Sequence, residues 1–222
     1  GEICDDIVNI DRAMRWGFNW EMGPFEAWDA IGVGESVKRM QEDGIDVPAW
    51  VVDMVESGRT SFYDGGEADK TYFDVTSKSS SSVSRDPRHI SLAALKEDKK
   101  NVVKDTLGAT LVDLGDGVLC VEVHTKMNTI DDDVVNALKE GVVEAEKNFE
   151  ALVIGNDGDH FGAGANLLMI FMAAQQKEWD QVGKIIDEFQ GAVQGLRYAN
   201  VPVVSAPFGL TLGGGAEIAM GA

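Results

Sequence analysis

The chain has 222 residues and a formal net charge of −19, from 38 acidic against 19 basic side chains. That balance argues against nucleic acid as a partner, because such binding rests on neutralising phosphates with Lys and Arg. A hydrophobic content of 44% is ordinary for one or two packed domains, and Cys4 and Cys120 are too few and too distant for a disulfide framework. No signal peptide is legible. The longest apolar run, residues 167–174, falls far short of the ~18 residues a membrane span needs, so a soluble, cytoplasmic protein is expected.

The amino-terminal third reads as short helices separated by glycine and proline. Residues 9–32 place Gly23-Pro24 between two helical patterns, where proline is preformed for the first helical position. A pattern over 34–43 stops at Gly44, and another over 48–57 stops at Gly58. The aromatics Trp16, Phe18, Trp20, Phe25 and Trp28 are expected to form the core of this small domain rather than a ligand box. The run N-I-D-R-A-M-R-W-G-F-N-W-E-M-G-P-F-E-A-W-D-A-I-G over 9–32 resembles the helical carboxy-terminal domain of 3-hydroxyacyl-CoA dehydrogenases. The domain is expected to cover 1–63.

Residues 64–89 hold Gly65-Gly66, the run S-K-S-S-S-S-V-S over 77–84, and Asp86-Pro87, which is loop composition. A linker over 64–104 is expected. Beyond it, alternating segments over 109–114 and 118–123 flank Gly115-Asp116-Gly117, a hairpin signature. Helical spacing returns over 134–149 and 179–198. Asp131-Asp132-Asp133 stands directly before the first of these, so a cap is expected there and not a metal site. His89, His124 and His160 show no metal-ligand spacing, and His160 reads as a loop residue beside the first glycine turn.

Two units of the form strand, small-residue turn, helix then follow. Residues 149–155 read as a buried strand, 156–167 as its loop, and an apolar helix comes next; residues 201–206 read as a second strand, followed by L-T-L-G-G-G-A-E-I-A-M-G-A over 210–222. Parallel βα units place their turns at the same sheet edge. Glycines there permit close backbone approach, a helix start presents unpaired N–H groups, and Glu217 falls on the first turn after Gly214. Backbone donors beside a base suit carbonyl chemistry. Neither turn is a dinucleotide fingerprint: G-x-G-x-x-G fails at Leu167 after Gly162-Ala163-Gly164 and at Ile218 after Gly213-Gly214-Gly215.

The motifs F-G-A-G-A-N-L over 161–167, P-V-V-S-A-P-F-G over 202–209 and G-G-G-A-E over 213–217 resemble the crotonase superfamily, the enoyl-CoA hydratase/isomerase family. The resemblance implies a truncated crotonase-like domain over 105–222, an α/β fold forming part of a ββα spiral and preceded by the small α-helical domain. It implies an oxyanion hole from the main-chain N–H groups of Ala165 and Gly214, with Glu217 as the catalytic residue that orients and deprotonates water. Contacts to CoA would come from Lys126, Met127, Ala163, Asn166 and Leu167. The family often carries Asp where Asn166 stands.

The two resemblances together match a fused enzyme of fatty-acid β-oxidation. They imply a fragment whose hydratase needs no cofactor and acts on an acyl-CoA thioester, with NAD expected for a dehydrogenase domain upstream of it. The family's second glutamate would lie after Ala222, so hydration by these residues alone is expected to be near background. A crotonase-fold isomerase and a non-catalytic acyl-CoA-binding or interaction module are the alternatives. A homo-oligomer stays open.

Overall fold

The computed structural model describes residues 4–84, 86 and 88–222, with Met169 described through its backbone only. Pro87 of the expected linker therefore lies outside the described residues. The chain divides into two compact units, Gly1–His89 and Ile90–Ala222.

The first unit opens with α1 (Ile7–Phe18), α2 (Pro24–Ile31), α3 (Val33–Glu42) and α4 (Ala49–Glu56). Proline at the start of α2 and the left-handed Gly44 and Gly58 after α3 and α4 agree with the punctuation in the sequence. The core gathers Ile7, Val8, Val33, Val37, Val51 and Met54 around Phe62, whose ring meets those of Phe25, Trp28 and Trp50 at centroid distances of 5.0–5.8 Å. Only part of the expected aromatic core is present. Phe25 and Trp28 pack inward, whereas Trp16, Phe18 and Trp20 are 78%, 70% and 51% exposed. Helical geometry gives the reason for Trp16. The buried face of α1 runs through Ile7, Val8 and Asp11, and Trp16 lies off that stripe.

The expected linker is also corrected. Residues 63–82 form a three-stranded antiparallel sheet of β1 (Tyr63–Asp64), β2 (Thr71–Asp74) and β3 (Ser79–Ser82), in that order. The serine run is a strand, registered from Thr71 opposite Ser82 to Asp74 opposite Ser79. Ladder hydrogen bonds come from the backbone, so a polar edge strand forms once Phe73 anchors its neighbour in the core. From Ile90 onward the stretch, with α5 (Leu92–Glu97) and β4 (Val102–Asp105), belongs to the second unit.

In the second unit β4 pairs antiparallel with β5 (Ala109–Asp113), and β5 with β6 (Val118–Val123) across the Gly115–Gly117 turn. Next, β6 pairs parallel with β8 (Ala151–Gly155), and β8 parallel with β10 (Val203–Ser205). The sheet order is β10-β8-β6-β5-β4. Its strands alternate as a two-sided sheet requires. Leu111, Val121 and Leu152 face the larger core with α6 (Asp132–Asn148) and α8 (Trp179–Arg197), while Val112 and Cys120 face Leu92 of α5. Burial first, then the Glu122 and Asp157 charges, push the Cys120 thiol up to about 12, so it packs as a neutral group. The start of α6 is capped by Asp131, which accepts the Val134 N–H at 3.1 Å. A short parallel pair, β7 (Thr129–Ile130) with β9 (Gly164–Ala165), and the helices α7 (Leu167–Gln175) and α9 (Gly214–Gly221) complete the unit. A hairpin leading into successive βα units is the order expected for the start of a crotonase-like spiral. No helix among the described residues is long and apolar enough to cross a membrane.

Candidate active site

Because β8 and β10 run parallel, the loops leaving them emerge at the same edge of the sheet. The two loops bind each other through their backbones. Phe161 N–H donates to the Phe208 carbonyl (3.0 Å), Gly162 N–H to Leu210 (3.0 Å), and Leu212 N–H returns to Gly162 (2.9 Å). Asn128, buried and left-handed, donates from Nδ2 to the His160 carbonyl at 2.7 Å. The Leu210 N–H donates to His160 Nδ1 at 3.4 Å, so His160 ties the loops together.

Glycine is required at this junction. Gly164 is left-handed (φ 98°), and a Cβ there would stand 3.2 Å from the Leu212 carbonyl and 3.7 Å from the Gly214 nitrogen. A Cβ on Gly215 would stand 2.8 Å from the Gly162 carbonyl oxygen. The two glycine turns thus touch through their main chains.

The donors expected at Ala165 and Gly214 occupy positions of distinct kinds. Successive N–H groups of an extended strand point to opposite sides. The Asn166 N–H donates to the Ile130 carbonyl at 2.9 Å, so the Ala165 N–H is directed away from β7, the strand that pairs with β9. Gly214 is the first residue of α9, where an N–H has no carbonyl within the helix to reach. The N–H groups of Gly215, Ala216 and Glu217 turn back onto Leu212 and Gly213 carbonyls.

Beside this junction lies a cavity of about 480 Å³, lined by Ala165, Asn166 and Glu217 and, on its apolar side, by Ile130, Ile170 and Phe189. Gly214 does not line it but packs behind two of its wall side chains, since a Cβ there would come within 2.6 Å of Ile130 Cδ1 and 3.1 Å of Phe189 Cζ. Asn166 caps α7 by accepting the Leu168 N–H at 3.2 Å. The remaining residues expected at the site do not line this cavity. Leu167 is exposed at the start of α7, and Lys126 lies on a short 3-10 turn. Ala163 donates its N–H to the Met127 carbonyl (3.2 Å), and Met127 lines a separate cleft with His124, Asp159 and His160. Among the described residues, no three His, Cys, Asp or Glu side chains are grouped to hold a metal ion.

Sequence reasoning missed the α8 wall of the cavity. Gln181, Ile185 and Phe189, with Lys184 and Glu188, repeat at helical spacing and line it together. The period was readable, but the partner of that face was not.

No family model matches the chain. It is 44% identical over 98% of its length to the "Probable 3-hydroxyacyl-CoA dehydrogenase" of Bacillus subtilis (strain 168), covering 27% of that protein. It is 25% identical over 97% of its length to a protein of Rickettsia prowazekii (strain Madrid E) named as a fatty acid oxidation complex trifunctional enzyme, again covering 27%. Among solved structures, an enoyl-CoA hydratase from Polaromonas sp. JS666 superposes with a TM-score of 0.47 at 21% identity, over 51% of this chain and 45% of that one. Nearly the whole chain is therefore similar to a segment making up 27% of curated relatives named 3-hydroxyacyl-CoA dehydrogenase and fatty acid oxidation trifunctional enzyme.

Proposed function

We propose that the second unit supplies part of the site that hydrates trans-2-enoyl-CoA to 3-hydroxyacyl-CoA, within a larger enzyme of fatty-acid oxidation. The observation that carries this reading is the meeting of the two glycine turns beside a cavity that Ala165 and Glu217 both line. In this reading the Ala165 and Gly214 N–H groups receive the thioester oxygen, and a single such donor contributes about 3 kcal/mol as negative charge develops. Glu217 takes a proton from water, the resulting hydroxide adds to the β-carbon, and the double-bond electrons move toward the thioester carbonyl. The α-carbon then takes a proton from a second acid, which the resemblance places after residue 222. Oxidation of 3-hydroxyacyl-CoA is proposed for the whole protein, following the name of the Bacillus relative, with NAD as the acceptor that the resemblance implies.

The test is Glu217→Gln in the intact protein that carries this chain. The exchange keeps the side chain's shape and removes the base, so kcat for hydration should fall by about 10²-fold or more with KM little changed. Turnover equal to the parent would reduce Glu217 to a structural residue at the start of α9.

A further inference from the structure

The cavity beside Glu217 has two kinds of wall. One is apolar, built from Ile130, Val135, Ile170 and Phe189. The other carries Asp131, Asp132, Glu188 and Glu217, with Lys184 as the one cation among the described residues that line it. Carboxylates outnumber cations even when Lys139, which pairs with Glu188, is counted. The start of α6 does not reverse this field. A helix start attracts anions through its open N–H groups, but the Asp131 carboxylate already accepts the Val134 N–H there. An anion entering the cavity would lose water and gain like-charged neighbours, a combination that discriminates by repulsion.

We infer that this cavity accepts an uncharged apolar group and rejects one that ends in a carboxylate, with Asp131, Asp132 and Glu188 setting the preference. Resting on the proposed reaction, the group is the acyl tail of the thioester. Plain 2-enoyl chains are then favoured over chains carrying a second, terminal carboxylate.

The preference is measurable without catalysis. The chain is titrated with hexan-1-ol and with hexanoate at low ionic strength while the Ile130, Ile170 and Phe189 side-chain resonances are followed. The alcohol should move these resonances, and hexanoate should bind at least about tenfold more weakly. Asp132→Asn combined with Glu188→Gln should narrow that gap, and so should raising salt to about 0.5 M with the unaltered chain, which needs no substitution to fold. Equal affinity for the two probes, or a cavity that takes neither, overturns the inference. If the alcohol is preferred as expected but the intact protein hydrates no 2-enoyl-CoA, the hydratase reading fails and the cavity's charge preference stands.

Discussion

Asp11 shows how one buried carboxylate organises the first unit. It is 2% exposed and accepts three hydrogen bonds, from the Phe25 N–H (2.9 Å), the Glu26 N–H (3.2 Å) and the Tyr63 hydroxyl (2.8 Å). A side chain on α1 therefore caps the start of α2 and ties both to β1. Burial raises the Asp11 carboxyl above its ordinary value despite those donors, and the same burial, followed by Asp11 itself, raises Tyr63. Gly23 is part of the arrangement, because a Cβ there would overlap Asp11 Cβ at 2.2 Å. Asp11→Ala leaves a hydroxyl and two helix-start N–H groups without their partner, and should lower stability by about 3 kcal/mol. Urea unfolding of the chain measures this. A loss below about 1 kcal/mol would show that water replaces the carboxylate at little cost.

At the scale of elements, punctuation and period made most of the fold legible. Gly23-Pro24, Gly44 and Gly58 bound α2 to α4, Gly115–Gly117 closes the β5–β6 hairpin, and Asp131 caps α6, each through a local rule that acts within a few residues. The serine strand β3 was not legible. Its formation depends on Phe73 of β2 reaching a core built by distant helices, and serine composition carries no trace of that. The candidate site divides in the same way. Ala165, Asn166 and Glu217 line one cavity and their motifs were legible, whereas its α8 wall is set by tertiary packing. The contact between the glycine turns is itself testable. Gly215→Ala would drive a Cβ to 2.8 Å from the Gly162 carbonyl, a backbone atom that cannot rotate aside. Overpacking of this kind should lower stability by about 1–3 kcal/mol and separate the two loops. Thermal unfolding, with the Gly162 and Leu212 amide resonances as local reporters, checks both effects. An unchanged melting temperature with unmoved amides would mean that the two turns leave room for the Cβ without separating.

Charge acts on the whole molecule. A formal −19 over 222 residues makes the folded chain repel itself, because compaction brings carboxylates closer than they stand in the unfolded chain. Ion pairs work in the opposite sense. Arg59–Asp64, Lys78–Asp53 and Lys96–Glu122 are closed at 2.7–2.9 Å, but the first two have an exposed partner, and exposed pairs typically contribute ~0–1 kcal/mol. Lys96–Glu122 is better shielded, with Glu122 only 7% exposed, and salt weakens such a pair much less. Added salt therefore removes more repulsion than attraction. The melting temperature at neutral pH should rise between about 10 mM and 0.5 M NaCl, a range in which the screening length falls from ~30 Å to a few ångströms. Near the sequence pI of about 4.4 the acidic excess is neutralised, and the same salt step should have little effect. Chloride and sulfate compared at equal ionic strength separate screening from the general strengthening of apolar burial by sulfate. A melting temperature that falls with NaCl at neutral pH would show that ion pairs outweigh the net charge in holding this chain together.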